Sequence, residues 1–483
     1  MKNEQEKLGF LTVLGLLIFS TWGSPGQITP TENNLAWGCL LFLALPFFAN
    51  WRRPRITLFN CIPFLRNSFN EYRAFTSIVC LFFAIAILGC MNPCFELDRS
   101  TGGLLPSISE KKHVPWLPST VLPEVSFRRI PQLAGFLLLF GPGVFFVITK
   151  RSSLRALLWV IIANTVILSI VGIFVKLSNG TKILGYIEPT DARYFFSTFS
   201  YKNHWGAYCV LTLGVIGALT HFQLTKEQSW KSKRNSPIPV LIIASIIIGL
   251  TVPLSGSRSC SVVYGLFFTV YLGKLLAHKL LYFNSSRVKN LLSGAIALAA
   301  SLVLIGSSLL LHDENKEEIF RTTGRQYTNL VEKGQKETRF YISRDTLKMI
   351  LDKPVFGWGL GSYSLIINIP ERYLGPEHQG TNFDHAHNDW LEYMAETGVV
   401  GFILLAIILG APYGIYLRIG NPNPISRWLW GTAVVLLLYS IVEFPCRTPA
   451  VALLLTLIIV IATKYGLIDK QRKSIHKNHR SRN

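Results

Sequence analysis

Residues 155–176 read RALLWVIIANTVILSIVGIFVK, an apolar run with charge only at its two ends. A helix of about 20 apolar residues crosses the roughly 30 Å hydrocarbon core of a bilayer. Similar runs recur along the 483 residues, of which 50% are hydrophobic and only 16% are charged. This composition excludes an ordinary soluble domain. The sequence therefore predicts an all-α, polytopic integral membrane protein.

Run length, together with the polar or Pro/Gly breaks between runs, predicts about twelve transmembrane helices. They are expected near residues 8–22, 35–50, 74–91, 131–149, 155–176, 204–222, 237–255, 259–277, 290–311, 398–417, 428–444 and 449–467. The chain then divides into N-terminal transmembrane helices (1–190), a core (191–417), C-terminal transmembrane helices (418–467) and a basic tail (468–483). The core contains one long loop, at 312–397.

The distribution of charge predicts the orientation, because short loops rich in Lys and Arg remain in the cytoplasm. One alternating set of loops is basic, with clusters at 52–73, 150–155, 226–234 and 279–289, and so is the tail. The other set holds most of the acidic residues. We therefore expect both termini in the cytoplasm and the loop at 312–397 outside. Topology and attraction to anionic lipid headgroups account for the net charge of +21, so no nucleic-acid partner is inferred.

Two features of the long loop indicate local structure. From Arg339 to Leu351 the apolar residues share one helical face, which predicts an amphipathic helix at the membrane interface that stops at Pro354. Gly357, Gly359 and Gly361 then alternate with larger residues. Such glycines suit either a tight turn or a phosphate-cradling loop. The turn is favoured, because no strand precedes the glycines and no GKS sequence follows them.

The end of this loop concentrates ionisable side chains in the segment DHAHNDWLE, residues 384–392. Histidine titrates near neutral pH, so a histidine flanked by carboxylates can move protons. His387 is the candidate base, with His385 in support. Asp389 and Glu392 have an alternative role as the N-cap and capping box of the helix that follows.

Arginines near this segment predict a phosphate-bearing substrate, because the guanidinium fork binds phosphate oxygens in pairs. Arg339 lies on the same loop, and Arg258 stands at the outer mouth of an apolar span. Each has an alternative: Arg258 could anchor a helix end at the headgroups, and Arg339 could pair with Glu332 or Glu337. Arg447, at another outer helix end, is a further candidate for the same cavity.

Three motifs in this order resemble the O-antigen ligase and polymerase superfamily. The first is FSYKNHWGA at 199–207, the second is SGSR at 255–258, and the third runs from Arg339 through KPVFGWGLGS at 353–362 to HAHND at 385–389. The chain also departs from the family pattern. Ser197 stands where a glycine is usual, and Tyr201 and Lys202 replace an Asn-Pro pair.

The resemblance implies a C-type, multi-spanning glycosyltransferase in a bacterial inner membrane. Such enzymes take a glycan from an undecaprenyl-diphosphate-linked donor at the periplasmic face. They pass it to a hydroxyl of a lipid A-core or of a growing glycan, without a cofactor or metal. By analogy His387 would be the general base, and Arg258, Arg339 and Arg193 would bind the diphosphate. Supporting or acceptor-positioning roles would fall to His385, Asn388, Asp389, Asn203 and His204.

The choice between a ligase and a polymerase remains open, because the motifs concern the donor whereas the shape of the cavity selects the acceptor. A ligase is slightly favoured. A membrane transporter is the alternative from another class. It would require inverted repeats and ionisable groups near the middle of the membrane. The sequence shows no convincing repeat, and its polar residues collect at the outer face, which favours an interfacial enzyme.

Overall fold

The computed structural model describes residues 2–23, 73–97, 106–108, 113–185, 187–189, 195–226, 236–282, 338–369, 372–375, 382–420 and 423–480. Two predicted spans, at 35–50 and 290–311, lie outside the described residues, as does Arg193. The first part of the long loop, 312–337, lies outside them as well.

Within the described residues the fold is helical, apart from one short antiparallel ribbon. The ribbon pairs β1 (Phe95–Leu97) with β2 (Pro106–Ile108). The helices are α1 (Lys2–Trp22), α2 (Arg73–Cys90), α3 (Pro123–Ala134), α4 (Gly141–Val147), α5 (Arg151–Leu177), α6 (Lys202–Lys226), α7 (Ile238–Leu254), α8 (Arg258–Tyr282), α9 (Thr338–Asp352), α10 (Tyr363–Ile367), α11 (Asp389–Arg418), α12 (Pro424–Tyr439) and α13 (Pro449–Arg480). A π-helical segment, Gly135–Phe140, joins α3 to α4.

Five of the described helices are long and apolar enough to cross a membrane, in α5, α6, α8, α11 and α13. Two shorter apolar helices correspond to α2 and α7. Every predicted span inside the described residues overlaps helical structure; the run at 155–176, for example, lies within α5. These helices establish a membrane protein, whereas the count of twelve, the periplasmic loop and the orientation stay predictions.

Helix α6 lies at the centre of the packing, between α5, α7, α8 and α12. Its side chains Trp205 and Tyr208 are fully buried. Two of its glycines bring it close to α12: a Cβ at Gly214 would lie 1.7 Å from the Thr432 hydroxyl, and one at Gly217 would meet the Trp428 ring at 2.7 Å. Small residues permit such close approach of helices in membranes. The start of α6, which carries Asn203, is thereby fixed against the end of α12.

The long helix α11 is broken at Gly398, where φ is +64°. The segment after Pro354 docks into this break: the Val399 amide donates to the Pro354 carbonyl (2.8 Å), and the Gly359 amide donates to the Glu396 carbonyl (2.8 Å). Gly357, Gly359 and Gly361 all have positive φ, so the prediction of a structural turn is confirmed. This turn supports the acidic first part of α11.

The predicted helix from Arg339 is also confirmed. It is α9, and it ends two residues before Pro354. Its apolar side chains Ile342 and Met349 are buried, while Phe340 and Leu347 are exposed. No membrane is present in the structure, so its location at the membrane interface stays a prediction.

Candidate functional site

The start of α11 and the end of α12 pack against each other and form the base of the site. The Asp389 amide donates to the Ser440 carbonyl (3.0 Å), and the Trp390 indole donates to the Leu437 carbonyl (3.0 Å). Residues 443–447, with the sequence EFPCR, follow α12 and make a short turn that we call the 443–447 turn. Its charged and aromatic side chains lie between α11 and the start of α6.

Glu443 is the meeting point of several predicted site residues, although its own exposure is only 1%. Its Oε1 accepts hydrogen bonds from Asn203 Nδ2 (2.7 Å) and from the guanidinium of Arg339. Asn203 Oδ1 in turn accepts from the Ser257 hydroxyl at 2.6 Å. Residues of two predicted motifs, Asn203 and Arg339, therefore meet at this carboxylate, and Ser257 of the remaining motif reaches it through Asn203.

His387 faces the second oxygen of the same carboxylate. Its Nδ1 lies 3.6 Å from Glu443 Oε2, and its side chain is 27% exposed. The backbone at His387 is left-handed, with φ of +51°, a conformation that costs a non-glycine residue free energy and often occurs at functional sites. The imidazole is therefore held at a buried carboxylate while one side of it remains open.

Arg447 is the centre of a second cluster, on the other side of the 443–447 turn. Its guanidinium lies 3.2 Å from Glu392 and 3.1 Å from Glu396, and it stacks over the Tyr393 ring at 4.2 Å. Its side chain is only 7% exposed. Burial lowers the pKa of Arg447, but the charges of Glu392 and Glu396 outweigh it and raise that pKa above its ordinary value. Arg447 is therefore a permanent buried cation.

His385 belongs to this second cluster. Its Nδ1 lies 2.9 Å from Glu392 Oε1, and Glu392 Oε2 accepts from the Ala386 amide at 3.0 Å. Glu392 therefore fixes both the imidazole and the backbone of the loop that leads to His387. Across the described residues, no group of His, Cys, Asp or Glu side chains is arranged to hold a metal ion.

The Phe444 ring connects the two clusters. It stacks on His385 (centroids 4.5 Å apart) and on Tyr201 (5.5 Å), and it meets the rings of His387 (5.0 Å) and His204 (5.1 Å) edge to face. Aromatic contacts of this kind fix ring orientation as well as burying area. Burial, followed by the charge of Glu443, raises the pKa of Tyr201, so its phenol remains neutral at physiological pH.

The structure thus brings together most of the predicted site residues. Arg339, Asn203 and His387 meet at Glu443, while His385 and His204 meet at Phe444. Arg258 is the exposed first residue of α8, directly after Ser257. The alternative pairing of Arg339 with Glu332 or Glu337 involves two acids outside the described residues, whereas its pairing with Glu443 is observed.

The capping interpretation of Asp389 and Glu392 is wrong. The N-cap of α11 is Asn388, whose side chain accepts from the Leu391 amide at 3.1 Å. Asp389 is buried, accepts from the Cys446 amide (3.0 Å) and lies 3.9 Å from the Arg447 guanidinium. The cap therefore lies one residue earlier, which leaves both carboxylates to contact the 443–447 turn.

A cavity of about 140 Å³ lies beside the Arg447 cluster. Its walls are largely apolar and come from α3, α11, α12 and α13, with Leu133, Leu405 and Leu437 among them. Asp389, Glu396 and Arg447 form its polar end. Arg447 therefore lines a cavity, as the sequence suggested, but this cavity's lining does not include His387, Arg258 or Arg339.

Sequence reasoning did not identify Glu443 and Phe444 as site residues. Both belong to the 443–447 turn, and their partners lie far away in sequence: Asn203 is 240 positions from Glu443. One signal was available, because two opposite charges and a proline directly follow an apolar span in this turn. Buried charges at such a position call for partners from other elements.

Comparison with protein families matches one part of the chain. No curated protein matches the chain significantly. Residues 243–406 match the model of the O-antigen ligase family. The matched region begins in α7 and ends in α11, so it includes Arg258, Arg339, the glycine turn and the His385–His387 segment. This match, over about a third of the chain, supports the resemblance to the O-antigen ligase superfamily that the three motifs indicated.

Proposed function

We propose that this protein transfers a glycan from undecaprenyl diphosphate to an acceptor hydroxyl at the periplasmic face of the inner membrane, as a ligase-type glycosyltransferase. The acceptor is a lipid A-core or another glycan. The observation that carries the proposal is the convergence of His387, Arg339 and Asn203 on Glu443, close to the start of α8. A partly exposed imidazole that shares a carboxylate with an arginine is suited to sugar transfer from a diphosphate.

His387 acts as the general base in this scheme. Its partly exposed ring accepts the proton of the acceptor hydroxyl as the acceptor oxygen attacks the anomeric carbon of the donor sugar. The new C–O bond forms while the bond from that carbon to the diphosphate oxygen breaks, and the electron pair leaves with the diphosphate. Positioned general bases typically contribute about 10² to 10⁴ in rate. Attack opposite the leaving group inverts the anomeric centre.

Arg258 and Arg339 neutralise the leaving diphosphate. An arginine fork can donate two parallel hydrogen bonds to phosphate oxygens and stays charged when it is partly desolvated. Arg339 is 36% exposed at its side chain and Arg258 is exposed, so both are accessible to an anionic ligand. Arg193 is a third candidate for the same role. Asn203 and His204, together with His385, Asn388 and Asp389, support the base and orient the acceptor.

The proposal is tested with purified protein in lipid nanodiscs, a lipid-diphosphate glycan and an acceptor. His387→Ala is expected to lower the transfer rate by about 10² to 10⁴, the usual contribution of a general base. His221→Ala is the matched control. This histidine accepts a hydrogen bond from Trp428 near the other end of α6, about 25 Å along the helix axis from His204.

Transfer at the parental rate by His387→Ala would show that the base is assigned wrongly. Equal losses in both histidine variants would point to folding rather than chemistry. The polymerase alternative is separated by the acceptor. Attachment of finished polymer to a lipid A-core indicates a ligase, whereas joining of single repeat units on the lipid carrier indicates a polymerase.

A further inference from the structure

Glu443 lies outside the region matched by the family model, and its two oxygens have different partners. We propose that Glu443 is a positioning residue that orients His387, and that donor binding strengthens this effect by drawing Arg339 away from the carboxylate. This proposal rests on the proposed function, because it assumes that His387 takes the acceptor proton.

The carboxylate divides its contacts between its oxygens. Oε1 accepts from Asn203 and from Arg339, whereas Oε2 points toward His387. Within the described residues, Glu443 Oε2 and His387 Nδ1 are both buried atoms without a hydrogen-bond partner, and they are 3.6 Å apart. At 3.6 Å the two atoms face each other but do not form a hydrogen bond. A small movement of the His387 ring toward Glu443 would bring these two atoms within hydrogen-bond distance.

A hydrogen bond from Nδ1–H to Glu443 would fix the tautomer of the imidazole. The proton would then reside on Nδ1, which leaves the Nε2 lone pair to accept the proton of the acceptor hydroxyl. The same carboxylate would stabilise the imidazolium that forms, as the aspartate does in the Ser-His-Asp triad. Glu443 would thus act through His387 and would not itself touch either substrate.

Arg339 makes this arrangement sensitive to the donor. Its guanidinium pairs with Glu443 and also donates to the Val442 carbonyl at 3.3 Å. A diphosphate offers more negative charge and a closer match to the guanidinium fork than one carboxylate does. When Arg339 turns toward the diphosphate, the charge of Glu443 is no longer shared, and its attraction for the imidazolium increases. The base becomes strongest when the leaving group is in place.

The other groups that face His387 do not compete for this role. Phe444 presents an apolar ring to His387, and Tyr201, from just before α6, stacks on that ring with a neutral phenol. His204 lies across the Phe444 ring, and His385 on the same loop is paired with Glu392. Among the described side chains, Glu443 is the acidic group in direct reach of the His387 ring.

The test uses Glu443→Gln in the full-length protein and measures kcat, donor KM and the pH–rate profile. Glutamine keeps the size and the hydrogen-bonding capacity of the side chain but removes its charge. We expect kcat to fall about 10- to 100-fold, part of the general-base contribution. Donor KM should stay equal or decrease, because Arg339 is released, and the acidic limb of the profile should move to lower pH.

Glu6→Gln is the matched control. Glu6 is also a buried, hydrogen-bonded glutamate, held by Thr149 and Ser153. A purely structural role for Glu443 would lower kcat and raise donor KM together, without moving the acidic limb. If Glu443→Gln does not fold, Glu443→Asp replaces it. The retained charge should preserve the acidic limb, while the shorter side chain lowers kcat.

Two outcomes separate this proposal from the proposed function. If His387→Ala is inactive while Glu443→Gln keeps the parental kcat and pH profile, Glu443 does not position the base, and the general-base mechanism stands. If His387→Ala itself transfers at the parental rate, the mechanism fails, and the role of Glu443 fails with it. An acidic limb that stays in place in Glu443→Gln, despite a lower kcat, also overturns the proposal.

Discussion

Replacing Arg447 by methionine should destabilise the protein strongly, because one guanidinium compensates several buried carboxylates. Its Nη2 lies 3.2 Å from Glu392 and 3.1 Å from Glu396, and these two side chains are at most 2% exposed. Removing one partner of a buried ion pair typically costs about 3–5 kcal/mol, because the remaining charge is left uncompensated. Arg447 also stacks on Tyr393. We therefore expect the free energy of unfolding to fall by about 5 kcal/mol, the upper end of this range.

The loss is measured as the change in the midpoint of thermal unfolding of purified protein in lipid nanodiscs. Arg418→Met is the control, since Arg418 is exposed at the end of α11. The double variant Arg447→Met/Glu396→Gln should recover part of the loss, because one uncompensated carboxylate has been removed. If Arg447→Met unfolded at the same temperature as Arg418→Met, the reasoning that this ion-pair cluster holds the site together would be refuted.

Two further predictions concern backbone conformation. Gly398→Ala should lower the free energy of unfolding by more than about 3 kcal/mol. The residue has positive φ, and the new methyl would lie 2.3 Å from the Val355 carbonyl oxygen. Gly410→Ala in the same helix meets no neighbour within 4 Å, and its unfolding midpoint should be equal or higher. Ser197→Gly should be about 1–2 kcal/mol more stable than Ser197→Ala, since φ at this position is +55°. Equal unfolding midpoints for the two Ser197 variants would contradict the strain argument.

Local features of the structure were predictable from sequence, because they depend on neighbouring residues. The apolar run at 155–176 lies within α5, and the amphipathic segment from Arg339 became α9, which ends before Pro354. Alternating glycines at 357–361 predicted a turn, and each of them has positive φ. The usual glycine at position 197 now has a physical reason, because the backbone there is left-handed and Ser197 adopts it under strain.

The organisation of the site was not predictable, because it depends on which helix ends are neighbours. Residue spacing gives the face of a helix but not its partner. Asp389 resembled an N-cap because it is an acid at the start of an apolar helix, yet its partner is a backbone amide of the 443–447 turn. In the sequence, Glu443 simply follows an apolar run. Its contacts with Asn203 and Arg339 arise from elements 240 and 104 positions away.

The charge balance of the whole cluster gives a physical reason to assign the diphosphate to Arg258. Four buried carboxylates face two arginines here: Asp389, Glu392, Glu396 and Glu443 face Arg339 and Arg447. Both arginines are thus already paired with buried carboxylates, which balance their charge. An arriving diphosphate adds further negative charge, so it requires a cation beyond those two. We propose Arg258 as this cation, since it is exposed beside Ser257, whose hydroxyl reaches Glu443 through Asn203.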